Sequence, residues 1–163
     1  MKEKGIEELF YAVRRLKKEN ENFVLDLVGF FEDIYKKQVE ELEQLGIAHF
    51  YGFQSDPRPF YTEADCVVLP SYHEGMSNVL LEAAATGRPV ITSNIPGCRE
   101  RVENGKSGLL VEAKNKEMLY QAMKKMLHCS REEREKMGKA GREKMKREFR
   151  KEAVVERTVR SLE

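Results

Sequence analysis

Short apolar runs alternate with amphipathic stretches along this chain, and the alternation restricts the folds that it can adopt. Nearly continuous apolar runs of about four to eight residues are typical of strands buried on both faces of a parallel sheet. The stretches between them repeat apolar residues at three- and four-residue steps, which is typical of helices on a core. The predicted strands are residues 23–28, 47–51, 66–69, 89–92 and 108–111. The pattern predicts an α/β fold, a Rossmann-like doubly wound parallel sheet with flanking helices.

The length of 163 residues suits one domain, so we expect residues 1–163 to form a single Rossmann-like domain. Its C-terminal part, residues 131–163, is predicted to be a charged helical extension. Glu alternates there with Lys and Arg, which fits a solvated helix with ion pairs between residues four apart. Because the whole chain carries a formal net charge of only +1, we expect no nucleic acid as a partner.

The cysteines and the apolar runs indicate the compartment. Cys66, Cys98 and Cys129 are odd in number, widely spaced and free of any Cys-x-x-Cys pair. This pattern argues against a disulfide framework and against a zinc site. No apolar run reaches the roughly 18 to 20 residues of a membrane span, and the N-terminus does not resemble a signal peptide. We therefore expect a soluble, cytoplasmic domain.

The segment after the predicted strand 66–69 carries most of the functional information. It has the pattern of a strand end, a turn with Gly75 and the start of a helix. The first amides of that helix, around residues 77–79, form an anion site strengthened by the helix dipole, where a diphosphate would fit. Glu74 and Glu82 are predicted to lie about 12 Å apart. An acid and nucleophile acting on one glycosidic bond lie closer, at about 5 to 10 Å, so the two carboxylates suit different hydroxyls of one long ligand.

Glu74, seven intervening residues and Glu82, followed by Ala-x-x-x-Gly-x-Pro-Val-Ile, resemble the E-x7-E signature of family 4 retaining glycosyltransferases. Short motifs in the expected order extend the resemblance over nearly the whole chain. They are Lys4-Gly5-Ile6, Tyr51-Gly52-Phe53, Ala64-Asp65, Pro70-Ser71, Ile95-Pro96-Gly97, Gly105-x-x-Gly108 and Met137-Gly138. The resemblance implies one half of a GT-B fold, the half that binds the donor nucleotide sugar.

The resemblance also implies roles for individual residues. Glu74 would bind hydroxyls of the donor sugar, Glu82 would bind the ribose hydroxyls, and Lys4 would neutralise phosphate in the leaving group. The other implied donor contacts are the amides of Gly75, Met76, Ser77 and Asn78 at the sugar and diphosphate, Val79 and Leu80 at ribose or base, and Phe53 and Gln54 at the base. No cofactor is expected, and a UDP-sugar is the expected donor. No metal is expected, because the chain has no Asp-x-Asp motif.

A complete enzyme of the resembled family has two Rossmann-like domains, so the resemblance implies a missing N-terminal acceptor-binding domain or a partner chain that replaces it. It also implies an absent first strand, which would lie between strands 23–28 and 66–69. The remaining sheet would close this gap or pair with another chain, for example in a homodimer through an exposed sheet edge. The last helix, with Val154, Val155 and Val159, would pack on the missing domain. Any peripheral membrane contact would also come from that domain.

The sequence thus predicts a transferase that moves a hexosyl group from a nucleotide diphosphate sugar to a glycan or lipid-linked acceptor, with retention of anomeric configuration. The isolated chain is expected to be inactive without an acceptor domain. Two alternatives stay open: the donor-binding subunit of a split transferase, and a nucleotide-binding module without catalytic activity. His73, next to Glu74, is either a structural loop residue or a further donor contact.

Overall fold

The computed structural model describes residues 2–30 and 32–148 of the chain. Its helices are α1 (Ile6–Lys18), α2 (Lys36–Gln44), α3 (Arg58–Glu63), α4 (Asn78–Ala85), α5 (Lys116–His128) and α6 (Arg131–Glu148). Its strands are β1 (Leu25–Val28), β2 (Ala48–Gly52), β3 (Val67–Leu69), β4 (Val90–Ser93) and β5 (Gly108–Val111). The five predicted strands are all present, with their ends moved by one or two residues at most. The distal part of the predicted C-terminal helix, with Val154, Val155 and Val159, lies outside the described residues.

The charged C-terminal region begins with α6, which a break at Cys129 and Ser130 separates from α5. The break has a capping box at the start of α6. The Ser130 hydroxyl accepts a hydrogen bond from the Glu133 amide at 3.1 Å, and the Glu133 carboxylate accepts one from the Ser130 amide at 2.7 Å. These two bonds satisfy amides that would otherwise lack a partner at the helix start. The pattern Ser-x-x-Glu in the sequence is typical of such a helix start.

The strands β3, β4 and β5 lie between two apolar cores, and β4 shows how these strands serve both, whereas β1 and β2 pack against one core only. Val90 points into a core with Leu80 and Ala83 of α4, whereas Ile91 points into a core with residues of α1, α2 and α5. This alternation follows from the two-residue period of a strand. Helices therefore cover both faces, as a doubly wound fold requires, and the predicted α/β class is confirmed.

All strand pairs are parallel, but the strands form two sheets rather than one. β1 pairs with β2, and β4 lies between β3 and β5 in the second sheet. Within the described part of the chain, no strand pairs with the second edge of β1 or with the second edge of β3. The gap lies where the sequence analysis expected an absent strand. The described residues leave it open, and whether another chain fills it stays a prediction.

Candidate functional site

A cleft of about 600 Å³ lies beyond the carboxyl ends of β3 and β4. In parallel α/β sheets, ligands bind at this edge, because the loops and helix N-termini that follow the strands meet there. The residues that line the cleft are Tyr72, His73, Glu74, Gly75, Ile95 and Pro96. The structure therefore brings the segment that follows β3, with Glu74 and Gly75, next to the Ile95-Pro96-Gly97 segment that follows β4.

Gly97 holds these two segments together. Its φ is +88°, and a Cβ atom at this position would overlap the carbonyl oxygens of Glu74 and Gly75. Only glycine allows such a close backbone approach in this conformation without displacing the loop. The Gly97 amide also donates a hydrogen bond to the Glu100 carboxylate at 2.9 Å. The sequence analysis noted the Ile-Pro-Gly motif without giving it a role; its role is to support the loop that carries Glu74.

Lys4 and Glu74, the two residues predicted to act in catalysis, form an ion pair. Lys4 Nζ lies 2.5 Å from Glu74 Oε1, with side chains that are 48% and 14% exposed. Two backbone features bring Lys4 there. The Glu3 carbonyl accepts a hydrogen bond from the Tyr72 amide at 2.7 Å, and Gly5, with φ of +69°, packs directly on the Pro70 carbonyl. The turn before α1 is thereby fixed to the carboxyl end of β3.

The helix α4 begins at Asn78, where the sequence predicted a helix start. Ser77 is the N-cap, and its hydroxyl accepts a hydrogen bond from the Leu80 amide at 3.4 Å. The amides of Asn78 and Val79 precede the first intrahelical bond, so they remain available to an anion. Leu80, however, is fully buried in the core beneath α4. Its expected contact with ribose or base gains no support from this position.

Glu82 is exposed on α4, and its carboxylate interacts with two residues of α3, Tyr61 and Arg58. Burial and a hydrogen bond to Glu82 together raise the pKa of the Tyr61 hydroxyl above its ordinary value. The pKa of Arg58 is also raised, mainly by its hydrogen bonds to Asp56 at 2.7 and 2.8 Å and to a smaller degree by the charge of Glu82. The sequence analysis gave Arg58 and Tyr61 no role at the site.

The residues expected near the base lie after β2. Phe53 is 61% exposed, and its ring stacks on that of Phe30, which follows β1 and is 70% exposed. The Gln54 side-chain amide donates a hydrogen bond to the Tyr51 carbonyl at 2.7 Å, so it is engaged within its own loop. Phe30 was not among the predicted site residues, and no signal in the sequence marks its contact with Phe53.

The comparisons with known proteins decide the family. The profile of the family described as "Glycosyl transferases group 1" matches residues 1–144. The chain belongs to this family. A curated relative of this chain is the capsular polysaccharide biosynthesis glycosyltransferase CapM of Staphylococcus aureus, which is 29% identical over 161 residues. The match covers 96% of this chain and 42% of CapM.

Solved structures confirm the fold of this family member. Sucrose-phosphate synthase from Thermosynechococcus elongatus aligns with a TM-score of 0.81 and 29% identity, over 99% of this chain and 43% of that one. The HepE protein of Anabaena, crystallised with UDP, aligns with a TM-score of 0.80 and 21% identity, over 99% of this chain and 46% of HepE. The chain thus spans less than half the length of these proteins. Both neighbours have the GT-B fold, which confirms the fold expected from the resemblance.

Four further observations concern metal binding, membrane crossing, His73 and Cys66. Across residues 2–30 and 32–148, no three His, Cys, Asp or Glu side chains cluster in a way that could hold a metal ion. No helix in this part of the chain is long and apolar enough to cross a membrane. His73 lies on the cleft and is exposed, so both of its predicted roles stay open. Burial raises the pKa of the Cys66 thiol to about 12, in keeping with a half-buried residue that packs against the core rather than a reactive thiol.

Proposed function

We propose that this chain is the donor-binding domain of a retaining glycosyltransferase. It would bind a nucleotide diphosphate sugar, with UDP as the nucleotide, and take part in hexosyl transfer to a glycan or lipid-linked acceptor. The observation that carries the proposal is the Lys4–Glu74 ion pair beside the N-terminus of α4. The Lys4 cation and the available α4 amides suit the diphosphate of a nucleotide sugar, and the Glu74 carboxylate suits its sugar hydroxyls.

The ion pair suggests how a donor enters the cleft. A diphosphate carries the negative charge that Lys4 attracts, whereas sugar hydroxyls donate hydrogen bonds to a carboxylate such as Glu74. Binding would therefore exchange one protein–protein ion pair for two protein–ligand interactions. The amides of Asn78 and Val79, at the start of α4, would donate hydrogen bonds to the remaining phosphate oxygens.

The same groups would support the transfer step. The bond between the sugar and the nucleotide diphosphate breaks, and the acceptor oxygen forms its bond on the same face of the sugar. Charge then develops on the departing diphosphate, where Lys4 and the α4 amides would stabilise it. No step in this proposal requires a metal ion. Glu82 would hold the ribose and so keep the diphosphate next to Lys4.

The acceptor would be bound elsewhere. Because the chain spans 42% of CapM, an acceptor-binding domain in a longer polypeptide or in a partner chain would complete the site. We also propose the open edges of β1 and β3 as the place where another strand, including one from a second copy, would pair. The involvement of CapM in capsular polysaccharide synthesis makes a polysaccharide pathway the first one to test.

The substitution Glu82→Ala tests the proposed ribose contact. We expect nucleotide affinity to fall by about 1 to 3 kcal/mol, because charge-assisted hydrogen bonds to the ribose hydroxyls would be lost. Calorimetric titration with UDP measures the change, and thermal unfolding checks the fold. Glu40→Ala, which removes an exposed carboxylate from α2, is the matched control. A folded Glu82→Ala variant with unchanged UDP affinity would exclude Glu82 from the site.

A further inference from the structure

A cluster of three arginines lies at the edge of the sheet opposite the donor cleft. Arg88 comes two residues before β4, and Arg131 and Arg134 belong to the first turn of α6. Together with Asp65 and Glu135, they line a cavity of about 200 Å³. A strand rises about 3.3 Å per residue, so the length of β4 separates this cavity from the cleft by at least about 13 Å. The cavity is therefore distinct from the proposed donor site.

Backbone contacts bring the start of α6 to the start of β4. Gly138 of α6 packs on the Gly87 carbonyl, where a Cβ atom would overlap the oxygen. The Arg134 guanidinium donates a hydrogen bond to the Cys129 carbonyl at 2.6 Å, across the break between α5 and α6. Because Arg88 follows Gly87 directly, these contacts place Arg88 beside the arginines of α6.

Two of the three guanidiniums have a carboxylate partner, and both partners are exposed. Arg131 Nε lies 2.7 Å from Glu135 Oε1, and Arg134 Nη2 lies 3.4 Å from Asp65 Oδ1. The Glu135 and Asp65 side chains are 61% and 81% exposed, so solvent screens both pairs. An anion that enters the cavity would therefore displace either carboxylate into solvent at little cost.

Arg88 is the guanidinium without a carboxylate partner. It is half-buried and donates a hydrogen bond to the Thr62 carbonyl, but it forms no ion pair within residues 2–30 and 32–148. The Nε atoms of Arg88 and Arg134 are also buried without a hydrogen-bond partner in the described part of the chain. A half-buried charge is costly without an opposite charge, and unsatisfied donors beside a cavity indicate a ligand that accepts hydrogen bonds. Both observations point to an anion.

We propose that this arginine cluster binds a single phosphate group, either orthophosphate or the phosphate of a small ester. Guanidinium groups bind phosphate oxygens through charge-assisted hydrogen bonds. The cavity measures about 200 Å³ against about 600 Å³ for the donor cleft, which suits one phosphate group rather than a nucleotide. The dipole of the 18-residue helix α6 adds to the attraction, because two of the arginines lie in its first turn. The site does not depend on the proposed donor function.

The test is calorimetric titration of the full 163-residue chain with inorganic phosphate and with glycerol 3-phosphate, in a buffer without phosphate. We expect Arg88→Gln to weaken binding of both by about tenfold or more, because charge-assisted hydrogen bonds are lost. Asp65→Asn should strengthen binding by up to about fivefold, because Arg134 loses a competing carboxylate. A gain in affinity does not arise from misfolding, so this second variant tests the site even if thermal unfolding shows Arg88→Gln to be unstable.

Two controls separate this cavity from other anion sites on the chain. Arg142→Gln removes an exposed cation further along α6, and Lys4→Gln removes the cation of the donor cleft. Both should leave phosphate affinity unchanged. Equal losses in Arg88→Gln and Arg142→Gln would indicate nonspecific attraction, and a loss confined to Lys4→Gln would place the phosphate in the donor cleft. Either result overturns the proposal, as does the absence of binding at tens of millimolar phosphate.

The two probes also distinguish the sources of the phosphate group. Tighter binding of glycerol 3-phosphate than of inorganic phosphate, abolished in Arg88→Gln, would identify an ester as the ligand. Weaker binding of the ester, with the same dependence on Arg88, would identify orthophosphate. An affinity for either probe that does not respond to Arg88→Gln and Asp65→Asn in folded variants would show that the cluster is not the site.

Discussion

The Lys4–Glu74 ion pair allows a test in which the nucleotide and the sugar respond in opposite directions. In the absence of ligand, Lys4 Nζ is held 2.5 Å from the Glu74 carboxylate. The substitution Glu74→Gln keeps the size and an acceptor oxygen of the side chain but removes its charge. We expect UDP to bind more tightly to this variant, because Lys4 no longer has to leave an ion pair before it meets phosphate.

The size of the effect follows from the exposure of the pair. Lys4 is 48% exposed, so solvent screens the interaction and the pair contributes roughly 0.2 to 1 kcal/mol. Its loss corresponds to UDP binding that is up to about fivefold tighter. The sugar responds in the opposite direction. A hydrogen bond to a charged carboxylate exceeds one to a neutral amide by about 1 kcal/mol, so the affinity gained from an attached sugar should fall about fivefold.

Calorimetric titration of wild type and Glu74→Gln with UDP and UDP-glucose measures both the change in UDP affinity and the change in the affinity gained from the sugar. Glu117→Gln is the matched control, because Glu117 forms an ion pair with Arg15 away from the cleft. This control should leave both affinities unchanged. The reasoning is refuted if Glu74→Gln weakens UDP itself, or if it leaves the ratio of the two affinities at its wild-type value.

Two further predictions concern the support of the site and of the fold. Gly97→Ala should displace the Glu74 loop and weaken UDP-glucose binding. The control Gly105→Ala shares a positive φ but has open space around it, so it should cost only about 1 kcal/mol of stability. Equal effects of the two variants in thermal unfolding and titration would exclude the proposed backbone contact. Hydrogen bonds from Lys124 and Tyr120 lower the pKa of Glu19 below its ordinary value of about 4.5. The stability that these bonds contribute is therefore present above pH 4.5 and is lost as the pH falls through the lower pKa of the folded state. Urea unfolding at pH 7 and pH 3 should therefore show a smaller acid-induced loss for Glu19→Gln than for wild type, and identical losses would contradict the assignment.

Most of the fold could be predicted from the sequence because its elements are encoded locally. The apolar run before Gly29 and the helix that begins after Ser77 carry their own period and their own end signals, and both are present in the structure. The division of the strands into two sheets was harder to predict. Whether β1 and β3 pair depends on what lies between them, and no local pattern in either strand contains that information.

The sequence supplied candidate residues for the site but not the contacts that these residues make within the fold. The spacing of Glu74 and Glu82 identified the loop and the helix, but it did not reveal that Glu74 already has Lys4 as a partner. That contact joins residues 70 positions apart and depends on the packing of Gly5 against Pro70. The stacking of Phe30 on Phe53 likewise required the register of β1 on β2, which a sequence pattern does not fix.

The most direct test of the central claim is titration of the 163-residue chain with UDP and UDP-glucose, once in EDTA and once in magnesium. The account predicts that UDP binds, that an attached sugar strengthens binding, and that both affinities are the same with and without the metal. Binding that ignores the sugar would contradict the role of Glu74 and indicate a nucleotide-binding module. No binding at millimolar ligand would contradict the claim that this chain alone forms a donor site.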